Sequence, residues 1–204
     1  IEIIENDKCC GCNACGDICP TGAITFPTDE EGFWNPEINQ SLCIDCGLCQ
    51  KTCPSLTKAD NVIRYEEPVV YAAYTKDEHI RTDSTSGGIH SMLALAMYDQ
   101  HAYIGGAVYN KDHTVSHIVS ADRQLLPAIR SSKYLQSSME GVYKEVRALL
   151  RAGEKVFFCG APCQIQGLYK FLRKEYDNLT TCDFICRGVN SPKVFLSYMD
   201  MLEK

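Results

Sequence analysis

The pattern of apolar and polar positions predicts that strands and helices follow one another over the C-terminal two thirds of the chain. Short runs rich in β-branched and aromatic residues predict strands, and a tight connection at 110–113 predicts a hairpin. Apolar positions at helical spacing, such as Val142, Val146, Leu149 and Leu150, predict amphipathic helices. The predicted strands are 69–75, 103–109, 115–120, 155–158 and 179–185, and the predicted helices are 88–98, 139–152, 164–174 and 192–202. This alternation favours an α/β domain with a largely parallel sheet.

The N-terminal part of the chain has no such pattern and is rich in cysteine instead. The chain has 13 cysteines, grouped at 9–19, 43–53 and 159–186, and the first two groups repeat one short motif. Disulfides would be expected in a secreted protein, but the number is odd and the spacing is tight. Metal binding is therefore the better interpretation.

Both repeats have the form Cys-x2-Cys-x2-Cys-x3-Cys-Pro. This is the motif of ferredoxins with two 4Fe-4S clusters, in which each fourth cysteine binds the other cluster. A zinc site would usually pair two cysteines with two distant ones, so zinc is the weaker alternative. Cys10 is out of register and is expected to be a free thiol near a cluster. The predicted ligands are Cys9, Cys12, Cys15 and Cys53 for one cluster and Cys43, Cys46, Cys49 and Cys19 for the other.

These patterns together predict an α+β protein, a ferredoxin-like two-cluster module followed by an α/β domain. The expected divisions are 1–57 for the module, 58–68 for a polar linker and 69–204 for the second domain. The net charge of −6 lies in residues 1–58, which hold nine acidic residues and three lysines, whereas the rest balances at 17 against 17. An acidic module argues against nucleic-acid binding and suits a basic redox partner protein, although a solvated acidic surface explains it equally well.

No stretch is apolar for long enough to predict a membrane span, and no secretion leader precedes the first cysteines. The expected location is the cytoplasm.

Four motifs of the second domain resemble, in order, those of the family of coenzyme F-420 hydrogenase/dehydrogenase beta subunits. They are the segments at 86–89, 132–137, 158–168 and 185–192, which read SGGI, SKYLQS, FCGAPCQIQGL and ICRGVNSP. Many members of the family carry the same two-cluster module. The resemblance implies an iron–sulfur flavoprotein that binds FAD and typically one 4Fe-4S cluster in its α/β part. It would relay electrons between clusters, flavin and an unidentified hydride-type donor or acceptor, and a ferredoxin-type donor is an expected partner.

The resemblance also suggests which residues bind the flavin. Ser86, Gly87 and Gly88 stand at a helix start, which suits a phosphate, although glycines that permit close helix packing are the simpler explanation. Lys133 would neutralise a phosphate or the flavin ring, and Tyr134 would line the flavin. An exposed lysine and a core tyrosine are the ordinary alternatives for these two residues. None of the five histidines is assigned a catalytic role, and the catalytic residues are not predicted.

The late cysteines are candidates for a third cluster. Cys163 and Cys186 lie in the family motifs, each after a predicted strand end, where ligand sites of α/β sheets collect. Cys159 and Cys182 either complete this ligand set or are buried apolar residues.

Three departures from the family pattern affect the interpretation. Arg187 replaces a histidine, Asn190 replaces a proline, and Ala161 replaces a threonine. Family members also normally continue beyond the position of Lys204, which implies truncation of the α/β domain at its C-terminus and a fragment without full activity. Two alternatives to the flavoprotein are therefore an electron carrier without catalysis of its own and a thiol–disulfide reductase supplied by the clusters.

Overall fold

The computed structural model describes residues 4–5, 8–57 and 66–203. The N-terminal module contains two short helices, α1 (Ala14–Ile18) and α2 (Leu48–Thr52), and a small antiparallel sheet of β1 (Ile24–Thr25) and β2 (Glu37–Ile38). Most of the predicted linker, residues 58–65, lies outside the described residues.

The internal repeat of the sequence is also a structural repeat. Asn13 precedes α1 and Gly47 precedes α2, and both have left-handed backbone (φ 60° and 69°). Asparagine and glycine are the residues that adopt this conformation most easily, so the same turn forms in both repeats. Each helix ends at the fourth cysteine of its run, where the following proline cannot extend it.

The second part of the chain is built on a five-stranded mixed sheet. Its strands are β3 (Tyr103–Tyr109), β4 (Val115–Ser120), β5 (Ser137–Ser138), β6 (Val156–Gly160) and β7 (Leu179–Asp183). They lie in the order β5-β4-β3-β6-β7, with β3 and β4 antiparallel and every other neighbouring pair parallel. The predicted hairpin and the largely parallel sheet are confirmed.

The helices of this part are α3 (Glu78–Thr82), α4 (Ile89–Tyr98), α5 (Leu126–Ile129), α6 (Val142–Arg151), α7 (Pro162–Leu172) and α8 (Pro192–Leu202). A 3-10 turn, Arg123–Leu125, leads into α5. The sheet separates two hydrophobic clusters. One cluster contains residues of α6 and α7 together with Phe158 of β6. The other contains residues of α4 and α5 together with Phe157 of the same strand. No helix in the described ranges combines the length and apolar content that crossing a bilayer requires.

The prediction of a buried strand at 69–75 is wrong. These residues have no regular secondary structure, and Val69, Val70 and Tyr71 are 76%, 84% and 82% exposed. The composition suits a strand, but strand propensity reflects packing against neighbouring strands, and the sheet ends at β5 and β7 without using this segment. Thr75 donates a backbone bond to Gly87 (2.7 Å), which attaches the segment to the start of α4 instead.

The module and the α/β part share one core. Cys12 and Ala14 of the module are buried in the same cluster as Val142, Leu168 and Phe171. A side chain on Gly167 of α7 would meet the Cys12 sulfur at 3.2 Å, so only glycine allows α7 to approach the module this closely.

Candidate metal centre

Two pockets of the module are each lined by four of the predicted ligands. The first is lined by Cys9, Cys12, Cys15 and Cys53, and the second by Cys19, Cys43, Cys46 and Cys49. In each pocket the fourth cysteine of one run joins the first three of the other. The sequence predicts this grouping of the cysteines, and their assignment as cluster ligands stays a prediction.

The chemistry of these pockets suits iron–sulfur clusters. Burial raises the pKa of Cys9, Cys15 and Cys49, because a thiolate without a nearby positive charge is poorly solvated there. Iron supplies that charge and binds thiolate sulfur. Four convergent, largely apolar-walled thiols therefore fit a 4Fe-4S cluster.

The first pocket lies directly against the α/β part. Cys10 also lines this pocket, and the Cys163 thiol donates to the Cys10 carbonyl oxygen (3.8 Å). Hydrogen bonding with the Cys10 thiol, burial and the charge of Cys186 all raise the pKa of Cys163. Cys163 thus lies beside Cys10 at the edge of the first pocket.

Two side chains, neither singled out from the sequence, fasten the module to the α/β part. Asp17 of α1 accepts bonds from the backbone N–H groups of Gly141 (2.8 Å), Tyr143 (3.0 Å) and Lys144 (3.4 Å) at the start of α6. A helix N-terminus has unpartnered N–H groups and favours a carboxylate, so the module supplies the cap of a helix in the other part.

Gln136 is the second side chain that joins the module to the α/β part. Its Oε1 accepts from the Trp34 N–H (2.7 Å) and its Nε2 donates to the Trp34 carbonyl (3.0 Å). Gln136 belongs to the SKYLQS motif, so part of that motif serves docking of the module. Neither contact can be predicted from local sequence, because the partners are more than a hundred residues apart. The aspartate inside the first cysteine run is the one sequence feature that points to such a contact.

The structure brings only some of the predicted flavin-binding residues close together. Gly87 and Gly88 pack against 73–75, where added side chains would lie 2.7 Å from the Ala73 carbonyl and from the Thr75 methyl group. Ser86 is exposed, and Tyr134 is 65% exposed. Arg130 donates to Ser91 on the first turn of α4 (3.1 Å), so the 130–134 loop lies beside that helix start.

The ammonium of Lys133 is engaged with backbone. It donates to the carbonyls of Ala128 (2.5 Å), Ile129 (3.0 Å), Arg130 (2.8 Å) and Ser131 (3.2 Å) at the C-terminal end of α5. Burial lowers the pKa of Lys133 to about 8. These contacts cap a helix end and differ from the predicted contact with a phosphate or a flavin.

Cys159 and Cys182 form a pair of their own. They occupy paired positions on β6 and β7, and hydrogen bonding with Cys182 raises the pKa of Cys159. Cys159 and Cys182 are therefore paired across the sheet, whereas Cys163 lies toward Cys10.

The family model for the 4Fe-4S dicluster domain matches residues 8–57, the segment that holds both pockets. The prediction of two 4Fe-4S clusters is confirmed by this match.

Comparison of the whole chain confirms its resemblance to F420-linked oxidoreductases. The coenzyme F420-dependent sulfite reductase of Methanocaldococcus jannaschii is 31% identical over 177 residues, which are 83% of this chain and 26% of that protein. One of the subunits of the F420H2 dehydrogenase of Methanosarcina mazei is 22% identical over 172 residues, which are 80% of this chain and 48% of that protein. The chain thus spans about a quarter and about half the length of these relatives.

A solved structure shares the fold. A chain in the xenon-derivatised F420-reducing [NiFe] hydrogenase complex of Methanosarcina barkeri superposes with a TM-score of 0.51 at 22% identity, over 62% of this chain and 47% of that chain. Two of these three matches are subunits or chains of larger assemblies.

Proposed function

We propose that this chain is an electron-transfer oxidoreductase module that moves electrons between its two 4Fe-4S clusters and a redox site on the α/β part. The observation that carries the proposal is the first cysteine pocket, which lies against Cys163. An electron on the cluster held there is next to the α/β part, where ligand sites of such sheets collect.

The two ligand sets have distinct positions in this scheme. Cys9, Cys12, Cys15 and Cys53 hold the cluster nearer the α/β part. Cys43, Cys46, Cys49 and Cys19 hold the outer one, where Cys46 is exposed. The outer cluster suits exchange with a partner, and the net acidic charge of the module suits a basic redox protein or a ferredoxin-type donor.

A third 4Fe-4S cluster is part of the proposal. Cys163 stands in the first turn of α7, after β6, and Cys186 in the loop after β7, so both lie at the same end of these two parallel strands. They would supply two of its ligands.

FAD is the proposed two-electron cofactor, and the family resemblance supports it. The fit of this chain is partial: the first turn of α4 offers N–H groups for a diphosphate beside exposed Ser86, whereas Lys133 caps α5 and Gly87 and Gly88 pack against 73–75. When bound, FAD would convert single-electron steps into a two-electron step. The F420-linked relatives suggest a deazaflavin as the external hydride donor or acceptor.

A second candidate function is an electron carrier whose α/β part only docks partners. The engagement of Lys133 and the glycine pair in internal contacts favours it, because fewer predicted residues remain for a flavin.

Iron, acid-labile sulfide and flavin per chain test these proposals after anaerobic purification and reconstitution. About eight irons would mean the two module clusters alone, and about twelve would add the third. We expect Cys163→Ser to reduce the higher value to about eight. Cys182→Ser, which alters a cysteine outside both pockets, is the matched control and should leave iron unchanged. A chain that binds no flavin on titration would contradict the FAD proposal and leave the carrier.

A further inference from the structure

Cys159 and Cys182 lie opposite each other on two neighbouring parallel strands. The register pairs Cys159 of β6 with Cys182 of β7. Neighbouring strands are about 4.8 Å apart, and residues in register project their side chains from the same face. A disulfide needs Cα atoms about 4.4 to 6.8 Å apart, and the spacing of neighbouring strands lies within that range.

The surroundings of the pair suit reversible redox chemistry. Both side chains are partly exposed at the carboxyl ends of their strands, so oxidants and reductants can reach them. The hydrogen bond from Cys159 lowers the pKa of Cys182 to about 7, against the effects of burial and of Asp183. The same hydrogen bond, burial and Asp183 raise the pKa of Cys159, and the Lys133 ammonium acts in the opposite direction. One thiol is therefore the attacking thiolate near neutral pH and the other carries the proton.

We propose that Cys159 and Cys182 are a redox-active dithiol that cycles with a disulfide and exchanges two electrons with the 4Fe-4S clusters. In the reductive direction the S–S bond would break on receipt of two electrons, one from each cluster that the module would hold, and two protons from solvent would complete the two thiols. In the oxidative direction the S–S bond would form, two protons would leave to solvent, and each of the two clusters would accept one electron.

This proposal rests on the proposed function, in which the clusters provide electrons. It names a site within the chain that receives those electrons. Two one-electron clusters match one two-electron couple. The pair is separate from Cys163, which lies toward Cys10 and the module. The α/β part would then hold a two-electron site built only from its own residues.

Disulfide mapping tests the couple itself. The holoprotein is equilibrated anaerobically with glutathione buffers of increasing potential, alkylated and digested with trypsin. We expect a disulfide to link peptides 156–170 and 175–187. The link should persist in Cys163→Ser and Cys186→Ser and disappear in Cys159→Ser and Cys182→Ser. A link that survives either of the last two substitutions, or no link at any potential, overturns the proposal.

A reductive titration with dithionite tests the electron exchange. The oxidised wild type should take up about two more electrons per chain than Cys159→Ser, because the disulfide is a two-electron couple. Equal uptake, with clusters reduced in both proteins and the disulfide intact, overturns the proposal and leaves the proposed function standing.

Iron content distinguishes a redox-active dithiol from a pair of cluster ligands. Cys159→Ser and Cys182→Ser should keep the wild-type iron and sulfide. Loss of about four irons in either variant would make these cysteines cluster ligands and overturn the proposal.

Discussion

Replacement of Asp17 should uncouple the ferredoxin module from the α/β part. Its carboxylate accepts three N–H groups at the start of α6, two of them at 2.8 and 3.0 Å, and the residue is only 5% exposed. Asp17→Ala leaves these N–H groups without a partner. Loss of an N-cap costs about 0.5–2 kcal/mol, and an unsatisfied buried donor costs about 1–3 kcal/mol. Since water can enter the space left by the carboxylate, we expect a total loss of about 2–4 kcal/mol in the free energy of unfolding.

Asp17→Asn should reduce the free energy of unfolding by less than Asp17→Ala does. The amide oxygen keeps one or two of the three bonds but lacks the charge that favours a helix N-terminus, so we expect a loss of about 1–2 kcal/mol. Glu37→Gln is the charge-matched control, because Glu37 is an exposed acid of the same module. It should change stability by less than about 0.5 kcal/mol.

Anaerobic urea unfolding of the holoprotein measures these effects, followed both by cluster absorbance and by far-ultraviolet circular dichroism. In the wild type the two signals should change together, because Cys12 and Ala14 lie in the core of the α/β part. In Asp17→Ala the cluster signal should be lost at lower urea than the helical signal. Coincident transitions with a loss below about 0.5 kcal/mol would refute the idea that Asp17 joins the two parts.

Three further predictions concern the core and the interface. Gly167→Ala should destabilise the protein by about 1–3 kcal/mol and weaken retention of the first cluster, measured by urea unfolding and iron content, because the new methyl group lies 3.0 Å from the Tyr143 hydroxyl. Gln136→Leu should cost about 1–3 kcal/mol, measured in the same way, because both backbone groups of Trp34 lose their partner. Burial lowers the pKa of His117 to about 4, so the folded protein keeps this imidazole neutral and loses stability as pH falls from about 6.5. Between about pH 7.5 and about pH 5.5, His117→Phe should remove about 1.4 kcal/mol of the pH dependence of unfolding.

Gln166→Ala, on the same helix as Gly167, should keep the clusters, and equal cluster loss in both variants would mean that helix stability is the cause. Gln124→Leu is the control for Gln136→Leu, because it changes an exposed glutamine far along the chain from the module. It should leave the free energy of unfolding nearly unchanged. An unchanged pH dependence in His117→Phe would mean that burial leaves the pKa of this imidazole at its ordinary value.

The sequence by itself determined what local pattern and spacing can encode. The two cysteine runs predict two ligand sets, because a short helix after the third cysteine must direct the fourth thiolate away from its own cluster. The hairpin 103–120 and the helix 192–202 follow from alternation and capping within a few residues, and the structure has them at those bounds. Ser191 caps the latter helix by accepting from the Val194 N–H.

Only the tertiary structure decided which distant groups meet. The segment 69–75 has strand composition but remains outside the sheet, because a strand forms only where a neighbour accepts its hydrogen bonds. Asp17 finds its partners more than a hundred residues away, and Lys133 finds its own at the end of α5. The pairing of Cys159 with Cys182 depends on the register of β6 and β7, which is set by long-range packing of the sheet and cannot be read from the spacing of the two cysteines.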